Sequence, residues 1–211
     1  MELIRRLQPF AQLGTIVAMR VEVLRSSQIS GKLADLARLR IEVFAEWPYL
    51  YAGTLEYEER YLAEFARAPS SVLVIAEDCG SIVGASSAMA LVDEAPAIRR
   101  PFTERTLAEG EWFYLAESVL KREYRGRGLG HQFFEAREAL GHEQGFSKFA
   151  FCSVVRAPED PHRPAGHFDL DPFWKRRGYR PTELVTELAW REHGEASETA
   201  KSLRFWVKGE L

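Results

Sequence analysis

The sequence predicts an α/β protein of the α+β type: a mixed, largely antiparallel central sheet of about seven strands with helices on both faces. Segments of strand and helix period succeed one another in the order β, α, α, β, β, β, α, β, α, β, β. Two adjacent β-branched runs, "SSVLVIAED" and "SIVGASSAMALVD", meet at "DCGS", a hairpin signal that makes part of the sheet antiparallel. No Gly/Ser-rich linker divides the 211 residues, which reads as one domain over 19–211 behind an extension, 1–18, of unassigned role.

Nearest the N-terminus, "VEVL" (21–24) is a short strand that "SSQISG" terminates. Leu33, Leu36, Ala37, Ile41 and Phe44 recur at threes and fours, which predicts a helix stopped by Pro48. Thr54 is a good N-cap for "LEYEERYLAEFARA", whose acidic first turn (Glu56, Glu58, Glu59) suits the positive end of the helix dipole. The hairpin comes next, then "EAPAIRRPFTERTLAEGE", irregular or short-helical. "WFYLAESVLKREY" is a central strand running straight into "RGRGLG". Leu129, Phe133, Phe134, Ala136 and Leu140 then space as a helix, and "FSKFAFCSVV" is another strand. After the Pro-rich loop "RAPEDPHRPAGHFDLDP", the segment "DPFWKRRGY" is a short helix with Asp171 as N-cap, Pro172 at its first position and Gly178 past its end. "ELVTELAW" and "SLRFWVKGEL" close the sheet.

Composition narrows the function. A net charge of −3 offers no bulk attraction for nucleic acid or anionic lipid, so any basic site must be local. Two cysteines, Cys79 and Cys152, without paired or metal-like spacing fit a reducing cytosol. The first twenty residues are interrupted by Arg5, Arg6, Gln8 and Gln12 and lack a continuous apolar core, and no run reaches membrane-spanning length. These features predict a cytoplasmic protein. His162 and His167 share no ligand spacing with each other or with Cys152, and no metal site is expected.

The most informative stretch is "REYRGRGLGHQFF". Alone it reads equally as a solvated basic turn or as an anion cradle. A helix N-terminus presents unpaired N–H groups, glycines let a phosphate approach the backbone, and arginines add forked donors. Two phosphate loops are excluded: Gly130 is followed by His131-Gln132 rather than Lys-Ser/Thr, and no G-x-G-x-x-G register exists. What the segment matches is R-x-x-G-x-G, from Arg125 to Gly130.

On that motif, its place between a central strand and a helix, and the later "DPFWKRRGY", the chain resembles the GNAT superfamily of acyl-CoA-dependent N-acetyltransferases from about Met19 onward. The resemblance implies acetyl-CoA as cosubstrate. Amides of Arg125, Gly126, Arg127, Gly128, Leu129 and Gly130 would hold its pyrophosphate, and main-chain groups of Ser118, Val119 and Leu120 its pantetheine arm. It also implies that the central strand splays from "FSKFAFCSVV" to admit the thioester, and that the acceptor enters opposite the coenzyme. Trp174 occupies the place where the family often has a tyrosine near the sulfur, which leaves a dedicated general acid open.

Acyl transfer needs a neutral amine, donors for an oxyanion and a leaving thiolate. Glu117, in an otherwise apolar strand, is the expected base, with a pKa raised by desolvation; its bland alternative is pairing with an arginine. The Val119 amide is the expected oxyanion donor. Cys152 could take the acyl group first, but an apolar strand without an adjacent histidine favours a buried structural thiol and direct attack in a ternary complex. For the acceptor, an amine on a small molecule or a protein, the candidate contacts are Glu46, Trp47, Tyr49, His167 and Asp169. The competing reading is a non-catalytic coenzyme A-binding module of the same fold. Oligomeric state stays open, a homodimer included.

Overall fold

A computed structural model of the chain describes residues 19–25 and 27–211. The expected extension, 1–18, lies outside the described residues. The strands are β1 (Arg20–Arg25), β2 (Val72–Asp78), β3 (Ser81–Ala90), β4 (Trp112–Leu120), β5 (Lys148–Val154), β6 (Arg180–Trp190) and β7 (Thr199–Lys208). The helices are α1 (Ser27–Ser30), α2 (Leu33–Phe44), α3 (Leu55–Arg67), α4 (Pro96–Thr103), α5 (Leu129–Glu143) and α6 (Asp171–Arg176). The strands form one sheet in the order β1-β2-β3-β4-β5-β7-β6. Every neighbouring pair is antiparallel except β4 with β5.

The local signals translate as their chemistry requires. Thr54 has extended backbone (φ −124°, ψ 149°), and its hydroxyl accepts from the Tyr57 amide at 3.4 Å, capping α3. Cys79 and Gly80 both have positive φ (50° and 77°), the primed turn that suits the twist of a two-residue hairpin. Three expectations shift. "SQIS" makes a single helical turn rather than ending the strand as a loop. α2 ends at Phe44, four residues ahead of Pro48. Asp171 is the first residue of α6, with Leu170 in the cap position and no side-chain cap bond.

The sheet carries helices on both faces. α2 and α3 bury Leu36, Leu39, Leu62 and Phe65 against Leu73, Ile75, Ala85 and Val119, while α4 covers the same face around Trp112, Tyr114 and Phe205. α5 lays Leu129, Phe133, Phe134 and Leu140 on the other face, against Val74, Phe113, Leu115 and Phe151. Burial of these side chains supplies the main driving force, roughly 1.5–3 kcal/mol for each large one. No helix among the described residues is long and apolar enough to cross a membrane.

A break in the β3–β4 ladder decides which way the side chains of β4 point. Ser87 lies opposite Glu117 and Met89 opposite Tyr114, so β4 spends one more residue than β3 across that interval. Such a bulge reverses which face successive side chains point to. Before it, Trp112 and Tyr114 lie on the α4 face and Phe113 and Leu115 on the α5 face; after it, Val119 lies with α2 and α3.

Candidate active site

β4 pairs with β5 only through Trp112–Lys148, Phe113–Phe149 and Tyr114–Ala150. Beyond that rung β5 continues on β7 as far as Val154, and β4 continues on β3 as far as Leu120. The two strands therefore part, leaving a wedge whose one wall is the backbone of residues 115–120.

Ladder geometry decides which groups face the wedge. The Lys121 amide donates to the Val83 carbonyl at 3.0 Å, and Ala85 lies opposite Val119 in unbroken register. Amides two residues apart on a strand point the same way. Val119 therefore directs its N–H toward β3, whereas Ser118 and Leu120 direct theirs into the wedge. The expected oxyanion donor, Val119, is corrected on this ground: its amide belongs to the ladder, and its side chain is buried among α2 and α3.

At the far end of β4 a single 3-10 turn, Arg122–Tyr124, leads into the loop. Gly126 (φ 74°) and Gly128 (φ 81°) take left-handed conformations, and a Cβ added at either would meet nothing within 4 Å. That combination leaves the outer side of the expected cradle open and its backbone approachable. The amides of residues 126–130 find no acceptor among the described residues, whereas those of His131 and Gln132 already turn back to the Gly128 carbonyl. The Arg125 amide differs from expectation, since it donates to Arg122 O at 3.1 Å. Its side chain donates to Leu120 O at 3.0 Å and pairs with Glu46 at 2.9 Å, so Arg125 braces the loop against the end of β4.

Glu117 lies past the bulge on the α2–α3 face, and its carboxylate is not surrounded by apolar walls alone. It forms an ion pair with Arg40 of α2 and accepts from the Tyr61 hydroxyl at 3.2 Å. Arg40 also pairs with Glu58, which is fully buried, so that Glu58 serves this pair as well as the helix dipole. The Arg40 guanidinium stacks over the Tyr61 ring at 4.5 Å. Tyr61 is pushed up by burial, and its hydroxyl remains a proton donor at neutral pH.

At the root of the wedge the Tyr114 hydroxyl and the Cys152 thiol are 2.9 Å apart. Burial pushes the thiol up to about 12, and no histidine contacts it. Trp174 rests its ring against Phe151 and Trp206, at 5.0 Å from each, on the α5 face. Tyr179 is buried in the same cluster and donates to Glu138 at 2.9 Å.

The five acceptor candidates divide. Trp47 meets His167 edge-on at 6.0 Å, and His167 lies 3.6 Å from Asp169, whose carboxylate Arg163 holds at 3.0 Å. Those three share one corner. Tyr49 turns inward, its ring 4.5 Å from Phe44 and 5.7 Å from Trp190. Glu46 faces the loop instead, bound to Arg122 at 3.2 Å and Arg125 at 2.9 Å; desolvation raises its pKa, but the two arginines together outweigh it and leave the carboxyl lowered. No group of His, Cys, Asp or Glu side chains among the described residues is arranged to hold a metal ion.

Sequence reasoning missed Arg40, Tyr61 and Arg137. A signal existed for the arginines. Arg40 interrupts the apolar stripe of α2 between Ala37 and Phe44, and Arg137 that of α5 between Phe134 and Leu140. A charge on an apolar stripe is buried only when its partners are built in.

One parallel pair that parts within an antiparallel sheet, with an amide-rich loop at the end of the parting strand, defines the acetyltransferase class of fold. The chain belongs to the acetyltransferase (GNAT) family, whose family model matches residues 39–179. Solved structures agree in fold. A ribosomal-protein-alanine N-acetyltransferase from Brucella melitensis is similar at 14% identity and TM-score 0.57, over 89% of this chain and 98% of that one. The aminoglycoside N-acetyltransferase AAC(6')-Iy in complex with CoA is similar at 17% identity and TM-score 0.53, over 78% and 90%. The PaiA N-acetyltransferase from Thermoplasma acidophilum, in complex with coenzyme A, is similar at 13% identity and TM-score 0.51, over 91% and 100%. No curated protein matches the chain in sequence at a significant level.

Proposed function

We propose that this enzyme transfers an acetyl group from acetyl-CoA to an amine by direct attack in a ternary complex, in the cytoplasm. The observation that carries the reading is the parting of β4 from β5 beyond Tyr114 and Ala150, beside free amides at residues 126–130. The chain's own residues suit the donor: those amides and the N-terminus of α5 favour a pyrophosphate, and the glycines leave it room. The wedge-facing groups of Ser118 and the amide of Leu120, whose carbonyl already accepts from Arg125, suit an amide-bearing arm laid along β4 as an added strand.

In this reading the amine nitrogen bonds to the thioester carbon while the carbonyl π pair moves onto oxygen. The Ser118 amide, nearer the root of the wedge than Leu120, donates to that oxyanion. Glu117 takes the proton lost by the attacking nitrogen, directly or through water. Collapse breaks the carbon–sulfur bond, and the departing thiolate takes a proton from solvent. Trp174 cannot donate that proton, and a thiolate leaves without help at neutral pH. Trp47, His167 and Asp169, which share one corner, are the proposed acceptor contacts.

The test is thiol release from acetyl-CoA over a panel of primary amines, with wild type and Glu117→Gln. Release with at least one amine, lowered about 100-fold in the variant, is expected for loss of a general base. Release equal in both removes Glu117 from the mechanism. Acetyl-CoA binding with no release across the panel supports the coenzyme A-binding module instead.

A further inference from the structure

Arg137 of α5 is 1% exposed, yet no carboxylate pairs with it among the described residues. Its hydrogen bonds are all to the backbone and one hydroxyl. Nε donates to Phe133 O at 3.2 Å, Nη1 to Ser87 O at 3.2 Å and to Glu117 O at 3.0 Å, and Nη2 to Ser118 Oγ at 2.9 Å. The guanidinium also lies 4.9 Å from the Phe134 ring centroid. A buried cation without a counter-ion costs several kcal/mol. Arg137 is therefore an expensive way to fill a place where leucine would pack.

Its contacts say what the charge does. Ser87 and Glu117 flank the β3–β4 bulge, where the ladder is interrupted. Arg137 donates to both of their carbonyls, which fixes the bulge and with it the turn of Glu117 toward α2. The Glu117 carbonyl also shares one peptide group with the Ser118 amide. In a trans peptide the two point in opposite directions, the carbonyl toward Arg137 and the amide into the wedge. A donor on the oxygen of a peptide polarises it, and its N–H becomes a stronger donor in turn.

We propose that Arg137 is a positioning residue for acyl transfer: from behind β4 it polarises the Glu117–Ser118 peptide and so strengthens the Ser118 amide as oxyanion donor. This rests on the acetyl-CoA reading above. The charge never touches the thioester; it acts through one peptide. Desolvation, reinforced by the nearby Arg177, brings Arg137 down to about 10 against Tyr179 and Glu138, which favour the charge. The cation persists at neutral pH. A lysine in the same place would be depressed further, toward the assay range.

The experiment compares wild type, Arg137→Met and Arg137→Lys. In Arg137→Met, kcat falls about 10- to 100-fold, on the scale of weakening an oxyanion donor. The Kd for coenzyme A, which lacks the carbonyl, stays within about twofold on the same principle. Arg137→Lys keeps more of kcat at low pH and loses it through an added ionisation as pH rises. Infrared spectra of bound acetyl-CoA carrying a 13C carbonyl need no acceptor: the band shifts to higher frequency in Arg137→Met. An unmoved band with unchanged kcat overturns the proposal. So does equal loss of kcat and coenzyme A affinity in both variants, which marks a merely structural arginine. Should Arg137→Met not fold, Arg137→Lys decides, since a pH profile identical to wild type overturns the proposal. Wild type that fails to bind acetyl-CoA would instead remove the functional reading itself.

Discussion

Arg40 of α2 and Glu117 of β4 are joined in an ion pair that ties the first helical layer to the strand beside the wedge. The same guanidinium holds Glu58, which is wholly buried and has no other charged partner among the described residues. Arg40→Met leaves Glu58 as an uncompensated buried charge, a loss of about 3–5 kcal/mol. Urea unfolding of the variant should show it as a lower midpoint with an unchanged slope. A midpoint within experimental error of wild type would mean that Glu58 has another means of neutralisation.

Gly128 carries φ 81° at the start of α5, where a Cβ would meet no atom of the protein. Gly128→Ala thus costs the strain of a left-handed alanine, about 1–2 kcal/mol. The added methyl also points to where a phosphate would lie. Thermal stabilisation by millimolar acetyl-CoA should shrink, with affinity down about tenfold for each ~1.4 kcal/mol that the methyl takes from phosphate binding. Full retention of the coenzyme-induced shift would separate this loop from pyrophosphate binding.

The order of elements, the hairpin turn and the glycine loop between β4 and α5 were legible because each rests on local chemistry: period, a primed turn, glycines ahead of a helix. Register was not. The β4 bulge leaves no mark in "WFYLAESVL", yet it decides that Glu117 meets Arg40 and Tyr61 and that Val119 turns its amide to β3. Long-range charge pairing was equally hidden. Glu46 looks like an acceptor contact beside Trp47 and Tyr49, but Arg122 and Arg125, distant in sequence, hold it at the glycine loop. Side chains that bond across elements are read only once the strands are placed.

Trp174 has ring contacts to Phe151 and Trp206 and no hydrogen bond from its indole among the described residues. These contacts are those of a packing residue. Trp174→Phe should leave kcat and the alkaline limb of the pH–rate profile unchanged and cost about 1–2 kcal/mol of stability, short of a full truncation. A collapse of kcat without loss of stability would place the indole at the chemistry.

Cys152 separates direct attack from a covalent acyl-enzyme. Its thiol is pushed up to about 12 by burial, with the Tyr114 hydroxyl beside it, so the nucleophilic thiolate is scarce at any working pH. Cys79 is exposed at the β2–β3 turn. A disulfide reagent at pH 8 should therefore titrate Cys79 quickly in the folded protein and reach Cys152 only on unfolding. The same shift sets an alkaline limb of stability. In the unfolded chain the thiol ionises near about 8.5. The stability that rests on a neutral Cys152 is complete below that pH and is lost as pH rises through about 12. Cys152→Ala should flatten unfolding free energy against pH over that window while leaving turnover in place. Intact-mass spectra of enzyme incubated with acetyl-CoA alone should show no acetyl adduct on Cys152; an adduct forming at the rate of turnover would replace the ternary complex with a two-step transfer.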